Sequence, residues 1–276
     1  MKKLIKRIYN IIPFKQEIFS ALKFFWKPKE GIFKHLHFNG IITVNVSETK
    51  CFKINHHGFH IENEIFWVGL KSCWEKESMK LWINLCKESN TIIDIGANTG
   101  IYSLVAKTIN PNAKVYSFEP QPLLYTYLHQ NIILNNFDIV PIKKAASNKD
   151  GIDIIDDFVS GFSLPVETLC LKTFIEQNKL EKLDLIKIDV ETHEPEVLEG
   201  FSEYLFRFKP TLLIEILNNH IAEKVYNSVK NLDYLYFNID EKGTVRQTEK
   251  IEKSDYYNYL LCNSAIATKI GLIKKS

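Results

Sequence analysis

From Thr91 onward, short apolar runs rich in β-branched residues alternate with longer segments of helical periodicity, and this alternation most constrains the fold. The apolar runs predict strands at Ile92–Ile95, Lys114–Phe118, Ile139–Ile142, Leu183–Asp189, Thr211–Ile216, Tyr234–Ile239 and Tyr259–Ala267. The segments between them predict helices from about Thr99 to Ile109, through Leu134, from Pro195, and to near Lys230. Strands joined by helices make right-handed crossovers, and ligands bind beyond the carboxyl ends of such strands. The sequence therefore predicts an α/β fold with a Rossmann-like, doubly wound, mainly parallel sheet.

A different pattern precedes this domain. Ile41–Val46 and Cys51–Asn55 have the composition of short strands, and Gly58–Ile61 is predicted to begin another. Glu75–Lys87 is predicted to be a helix, because its apolar residues recur at i, i+3, i+4 and i+7. Together these elements predict a small β extension that ends with a helix. The predicted division of the chain is 1–30, 31–90 and 91–276.

Residues 1–30 are predicted to form a basic, amphipathic helical arm, since they hold eight Lys or Arg against two Glu. The first apolar stripe comprises Leu4, Ile5, Ile8, Ile11 and Ile12. The second stripe comprises Ile18, Phe19, Leu22, Phe25 and Trp26. Basic amphipathic helices can lie on anionic membranes, so peripheral contact with the inner membrane surface is one interpretation. The alternative is an arm that packs on its own domain or on a partner.

The composition is that of a soluble globular protein, with 45% hydrophobic and 25% charged residues. No run approaches the roughly 18 uncharged apolar residues of a membrane span, and Lys6 and Arg7 interrupt the apolar core that a signal peptide requires. The five cysteines are odd in number and form no CxxC pair, which favours reduced thiols and a cytoplasmic location. A net charge of +2 is too small to favour nucleic acid as a partner.

The first strand of the main domain runs into a glycine-rich turn, Asp94–Gly100, with the spacing D-x-G-x-x-x-G. Glycine lets a backbone approach a ligand closely, but this spacing is neither the dinucleotide pattern G-x-G-x-x-G nor a phosphate-binding loop. The next strand ends at Glu119, 19 residues beyond Gly100, where an acid can accept hydrogen bonds from a ribose diol. The pair therefore predicts a nucleoside ligand that lacks a pyrophosphate. S-adenosylmethionine meets that description.

Six segments in a fixed order strengthen this prediction: IIDIGANTG, YSFEPQP, QNIILNN, KKAASN, LIKIDVETHEPEVLEGF and LLIEI. Over roughly residues 67–217 the chain resembles the FkbM-type family of S-adenosylmethionine-dependent methyltransferases. The resemblance implies a class I methyltransferase sheet, S-adenosylmethionine as cofactor, and methyltransferase activity (EC 2.1.1.-).

The resemblance also implies the residues that bind the cofactor. Gly96, Ala97, Asn98 and Gly100 would line its methionine part, and Asp94 would also be a cofactor-binding residue. Glu119 would take the ribose hydroxyls. The turn beside the adenine would be Ala146, Ser147 and Asn148. The chain departs from the family at one point, because Thr192 stands where the family commonly has glycine after D-V-E.

The fourth strand of the domain carries the candidate catalytic residues. Lys187, Asp189 and Glu191 alternate and are predicted to share one face of a central strand, where charges are costly unless they are paired or used. One interpretation is a structural ion pair between Lys187 and Asp189. In the other, Asp189 or Glu191 faces the methyl donor and an acceptor hydroxyl, with Glu191 or His193 as the base. His193 has a bland alternative as a residue at a helix start, and Glu215 adds a carboxylate at the same sheet edge.

The predicted acceptor is a hydroxyl on a saccharide of a cell-surface glycan or on a natural-product intermediate, and this choice follows from the resemblance. Two other classes are a nucleic-acid methyltransferase and a non-catalytic binding protein on the same fold. The first is disfavoured because the fourth strand ends in D-V-E-T, without the [DN]-P-P-[YFW] typical of base methylation. No metal is predicted, since His56-His57-x-x-His60 lacks accompanying ligands.

Overall fold

The computed structural model describes Tyr9, residues 12–156 and residues 161–274. The chain divides into two compact units, Met1–Trp74 and Glu75–Ser276. The predicted divisions after residues 30 and 90 stay predictions. Within the described ranges, no helix combines the length and the apolarity that crossing a bilayer requires.

The first unit combines helices with one hairpin. Its helices are α1 (Lys15–Phe25), α2 (Glu30–Phe33) and α3 (His60–Val68). Strands β1 (Gly40–Asn45) and β2 (Cys51–His56) pair antiparallel, as the sequence predicts. The predicted strand beginning at Gly58–Ile61 is wrong, because α3 starts there. Its buried residues Ile65, Phe66 and Trp67 suit a helix that packs on the hairpin, and Gly69 at φ +86° ends it.

Helix α1 packs on the core of this unit through Phe19. The Phe19 side chain is buried, and its ring lies 6.1 Å from Phe38 and 5.6 Å from Trp67. Lys23 Nζ donates to the Phe66 carbonyl. The second predicted stripe is therefore helical and partly packed. The first predicted stripe, apart from Ile12, lies outside the described residues.

The second unit contains the predicted α/β domain. Its helices are α4 (Lys76–Cys86), α5 (Ile101–Ile109), α6 (Pro122–Asn135), α7 (Leu171–Gln177), α8 (Glu194–Glu199), α9 (Ser202–Phe208), α10 (Asn219–Val229) and α11 (Ser264–Lys269). Its strands are β3 (Thr91–Ile95), β4 (Lys114–Phe118), β5 (Ile139–Ile142), β6 (Ala145–Ser147), β7 (Gly151–Asp156), β8 (Ser163–Cys170), β9 (Leu185–Ile188), β10 (Thr211–Glu215), β11 (Leu235–Asp240), β12 (Thr244–Thr248) and β13 (Asn258–Cys262).

Among the described residues, eight strands form the main sheet in the order β12-β11-β13-β10-β9-β3-β4-β5. The strands from β10 to β5 are parallel, and β13 lies antiparallel between β10 and β11. One face packs Ile93 and Ile95 of β3 against apolar residues of α7, α8, α9 and α10. On the other face α5 lies against β3 and β4. The predicted doubly wound α/β fold is confirmed.

Two details differ from the prediction. The run Tyr259–Ala267 is not one strand: β13 ends at Cys262, and the Asn263 side chain accepts a hydrogen bond from the Ile266 N–H at 2.9 Å, which starts α11. A second sheet, β6-β8-β7, has no counterpart in the prediction. It places the predicted adenine turn at the end of β6.

Candidate active site

The structure explains why glycines stand in the turn after β3, through backbone angles and neighbouring atoms that the sequence does not reveal. Gly96 (φ +78°) and Gly100 (φ +93°) both adopt left-handed conformations. A Cβ at Gly96 would lie 1.8 Å from the Asp189 backbone oxygen, and one at Gly100 would lie 2.5 Å from Leu128 Cδ1. Packing against backbone therefore requires glycine at Gly96, whereas at Gly100 the left-handed backbone favours glycine and the Leu128 side chain could shift.

Glu119 joins the end of β4 to this turn. Its side chain is buried, with Oε2 accepting from the Asn98 N–H and Oε1 from the Gln121 N–H, both at 2.8 Å. Burial raises the pKa of Glu119 to about 7, against the opposing effect of these two hydrogen bonds. Each carboxylate oxygen keeps a second lone pair, so Glu119 can accept two more hydrogen bonds. The Gln121 Oε1 beside it is buried without a partner in the described part of the chain.

The predicted adenine turn and the predicted catalytic loop lie against each other. Ala146 and Ser147 are buried, and Ser147 Oγ lies 3.0 Å from His193 Nε2. Asn148 Nδ2 donates to Glu199 Oε2 at 2.8 Å. A Cβ at Gly200 would be only 2.0 Å from the backbone carbonyl oxygen of Ser147. The end of β6 is therefore fixed against both ends of α8.

Lys187, which is buried, and Asp189, which is half-buried, form the ion pair that one interpretation predicts. Lys187 Nζ lies 2.7 Å from Asp189 Oδ2 and 4.7 Å from the centre of the Tyr102 ring. Burial opposes the charge of Lys187, but Asp189, Asp94 and Glu75 together raise its pKa above the ordinary value. The lysine therefore stays charged and holds Asp189 at the end of β9.

Two further carboxylates support this pair. Asp94 is fully buried, and its Oδ2 accepts from Ser103 Oγ at 2.6 Å. Glu75 accepts from the Tyr102 hydroxyl at 2.6 Å and from Asn258 Nδ2 at 2.9 Å. Burial raises the pKa of both acids. Asp94 thus lies buried on β3, directly before the glycine turn. No motif in the sequence could have identified Glu75.

The loop after β9 places Glu191 differently from the prediction. Strand β9 ends at Ile188, and Glu191 (φ +54°) and Thr192 (φ +82°) both adopt left-handed conformations. Glu191 therefore does not continue the strand face of Lys187, and that prediction is wrong. The buried Glu194, which the sequence did not single out, holds this loop: its Oε1 accepts from the Val190 and Thr192 N–H groups at 3.2 and 3.3 Å.

His193 stands at the start of α8, where its carbonyl accepts from the Val197 N–H at 3.2 Å, and its side chain is also held. Its Nε2 contacts Ser147 Oγ, and its Nδ1 lies 3.7 Å from Glu196 Oε2. Glu191, by contrast, is exposed, and burial of part of its side chain together with nearby Asp189 raises its pKa. Of the two candidate bases, Glu191 is the more open to an acceptor.

Three carboxylates converge at the carboxyl ends of β9 and β10. One oxygen each of Asp189, Glu191 and Glu215 lies within 4.8 Å of the others. The Glu215 Oε2 is buried without a partner among residues 12–156 and 161–274. Burial, and then Asp189 and Glu191, raise the pKa of Glu215 to about 9. The cluster can therefore hold a proton at neutral pH or accept a positive charge, including that of a divalent cation.

The family of this chain follows from comparison with known proteins. The family described as the methyltransferase FkbM domain matches residues 94–239, more than half of the chain. The protein belongs to this family, as the sequence motifs predict. Membership agrees with the observed sheet, and S-adenosylmethionine is the cofactor that goes with it.

Two curated relatives are similar over part of their length. Methyltransferase sdnD of Sordaria araneosa is 29% identical, over 45% of this chain and 65% of that protein. Hexuronic acid methyltransferase AglP of Haloferax volcanii is 25% identical, over 48% of this chain and 58% of that protein. The chain thus spans less than two thirds of either relative.

Solved structures with a similar chain path include two methyltransferase-fold proteins. Methyltransferase FkbM of Methylobacillus flagellatus is 15% identical, with a TM-score of 0.43 over 63% of this chain and 43% of that one. Aeropyrum pernix fibrillarin, solved with natively bound S-adenosyl-L-methionine, is 17% identical, with a TM-score of 0.38 over 64% and 67%.

Proposed function

We propose that this chain is an S-adenosylmethionine-dependent O-methyltransferase of the cytoplasm, and that its acceptor is a hydroxyl on a saccharide or on a natural-product intermediate. One observation carries the proposal: Glu119 beside the glycine turn and the carboxylates Asp189, Glu191 and Glu215 all lie at the carboxyl edge of one parallel sheet. Family membership supports methyl transfer, and the name of one relative, a hexuronic acid methyltransferase, supports a sugar acceptor.

The residues at this edge fit S-adenosylmethionine. Glu119 has the spare lone pairs that a ribose diol needs, and Gln121 Oε1 beside it is an unpaired buried acceptor. The backbone of Gly96, Ala97 and Asn98 would line the methionine part. The end of β6, residues 146–148, would line the adenine. When bound, the cofactor supplies a methyl group on a positively charged sulfur.

Glu191 is the proposed general base. Its exposed carboxylate can reach an acceptor hydroxyl, and its raised pKa brings it closer to the neutral range where a base works best. Asp189 is held by Lys187 and would help to orient the acceptor. His193 is a positioning residue, because Ser147 and Glu196 fix its ring beside the proposed adenine site.

The acidic edge disfavours the nucleic-acid alternative. Asp189, Glu191 and Glu215 would repel a phosphate backbone, and the chain's net charge of +2 offers little compensation.

The non-catalytic alternative, a binding protein on the same fold, is tested by measuring turnover. A folded wild-type sample that gives no heat with S-adenosylhomocysteine in a calorimeter would remove the basis of the proposal.

The prediction for catalysis concerns Glu191→Gln. We expect turnover to fall by about 10²–10⁴-fold, because proton removal from the acceptor is lost, while affinity for S-adenosylhomocysteine stays near that of the wild type. The measurement is transfer of labelled methyl groups to a panel of saccharides and lipid-linked glycans. Glu223→Gln on α10 is the control, since that exposed carboxylate lies on a helix surface. Undiminished turnover by Glu191→Gln would assign the base to another group.

A further inference from the structure

Helix α1 has an apolar surface that the described residues of the chain leave uncovered. While Phe19 packs inward, an apolar set on the other side remains in solvent, and we call it the α1 apolar surface: Phe14, Ile18, Leu22, Phe24 and Phe25. At 100° per residue the four that lie within α1 span an arc of roughly 160°, and Phe14 directly precedes the helix. Phe24 and Phe25 are 87% and 93% exposed, and Phe14 is 73% exposed.

The extent of this exposed apolar surface indicates a binding site. Scattered apolar residues are normal on a protein surface, but a contiguous patch with several aromatic rings usually marks a site of interaction with a protein or a membrane. Here Phe24 and Phe25 end the helix, Trp26 follows them and is 40% exposed, and Phe14 lies just before the amino end of the helix. Aromatic side chains at a helix end are typical of segments that lie in the membrane interface.

The charge distribution selects an anionic lipid surface as the occupant. Residues 1–30 hold eight Lys or Arg against two Glu, a net charge of +6 in a chain of +2, so the remaining residues carry −4. Lys27 and Lys29 follow the aromatic residues directly and are exposed. Basic side chains next to an apolar helix face gain attraction from anionic headgroups, whereas the rest of the chain is repelled.

We propose that the α1 apolar surface binds an anionic bilayer, with its phenylalanine rings at the level of the headgroups and with Lys27 and Lys29 beside lipid phosphates. The packed side of α1 stays in place, because Phe19 remains between Phe38 and Trp67. Membrane binding is thus a property of the first unit and does not depend on the proposed methyl transfer.

The test is co-sedimentation of the full chain with vesicles. We expect binding to vesicles of phosphatidylcholine and phosphatidylglycerol at low salt, and weaker binding at high salt or to phosphatidylcholine alone, because salt screens the lysines. The double variant Phe24→Ser, Phe25→Ser should weaken binding by about tenfold or more with an unchanged melting temperature, since both side chains are already in water. Phe206→Ser is the matched control, because Phe206 is 63% exposed on α9.

Three results would overturn the proposal. The first is a folded wild-type protein that does not sediment with anionic vesicles at low salt. The second is a Phe24→Ser, Phe25→Ser variant that binds as the wild type does. The third is self-association in sedimentation velocity that this variant abolishes while vesicle binding is absent, which would assign the surface to a second copy of the chain. A Lys27→Glu, Lys29→Glu variant separates the two contributions, and its binding should lose most of its salt dependence.

Discussion

Thr192 is the residue at which side chain and backbone conflict most. A β-branched residue at φ +82° is strained by about 1–3 kcal/mol, and glycine relieves that strain at an entropic cost of roughly 0.5–1 kcal/mol. We therefore expect Thr192→Gly to raise the free energy of unfolding by about 1 kcal/mol in denaturant titrations. Thr192→Ala keeps the Cβ and the N–H bond to Glu194, so it should gain much less. An equal gain from both variants would show that the branched side chain beyond Cβ, not the backbone angle, causes the strain.

For single residues, the sequence predicted which positions matter better than it predicted what each one does. The glycine after D-V-E is missing from the chain, and this departure correctly marks a loop with unusual backbone angles. The ion pair of Lys187 and Asp189 could be predicted because a central strand cannot hold a lone charge. Glu75 and Glu194 could not, since their roles depend on partners distant in sequence or on a loop conformation that no local pattern specifies.

The contact between β3 and β9 limits substitution of the glycine turn. A Cβ at Gly96 would overlap the Asp189 carbonyl, and backbone atoms in two parallel strands cannot move aside cheaply. We expect Gly96→Ala to lower the free energy of unfolding by about 3 kcal/mol or more. Gly161→Ala is the control at a similar φ of +76°, where no atom of the described residues lies within 4 Å of an added Cβ, and it should cost about 1–2 kcal/mol. Equal losses in calorimetric unfolding would mean that backbone angle alone explains both.

Elements were predictable where they are buried. The parallel strands of the main sheet are continuous apolar runs because both of their faces are covered, and their predicted bounds lie close to those observed. The hairpin β7–β8 was missed because its residues face solvent, as the 71% and 70% exposure of Ile152 and Ile154 shows. The predicted strand Tyr259–Ala267 was too long, because Asn263 caps a helix that starts within this apolar run.

Carboxyl groups with raised pKa values are concentrated at one edge of the main sheet. Burial raises the pKa of Glu119 and Glu194 to about 7 and that of Glu215 to about 9, whereas the same carboxyls titrate near 4.5 in an unfolded chain. Between about pH 4.5 and 9 the folded state therefore binds protons that the unfolded state has released. Stability that is present below pH 4.5 is lost as the pH rises through 7 and then 9.

We expect the free energy of unfolding of the ligand-free protein to fall between pH 6 and pH 8.5, on the order of 1–3 kcal/mol for each such group. Glu215→Gln should flatten the upper part of this dependence, whereas Glu223→Gln on the surface of α10 should not.

S-adenosylmethionine should stabilise the protein more at pH 8.5 than at pH 6, because its positive sulfur and its ribose hydroxyls both favour ionised carboxylates. S-adenosylhomocysteine lacks the positive charge and should show a smaller difference. Denaturant unfolding at both pH values, with and without each ligand, measures all of these effects. Stability that is flat or rising over this range without ligand would mean that the acids are already ionised and compensated, which would exclude the proton-holding role of Glu215.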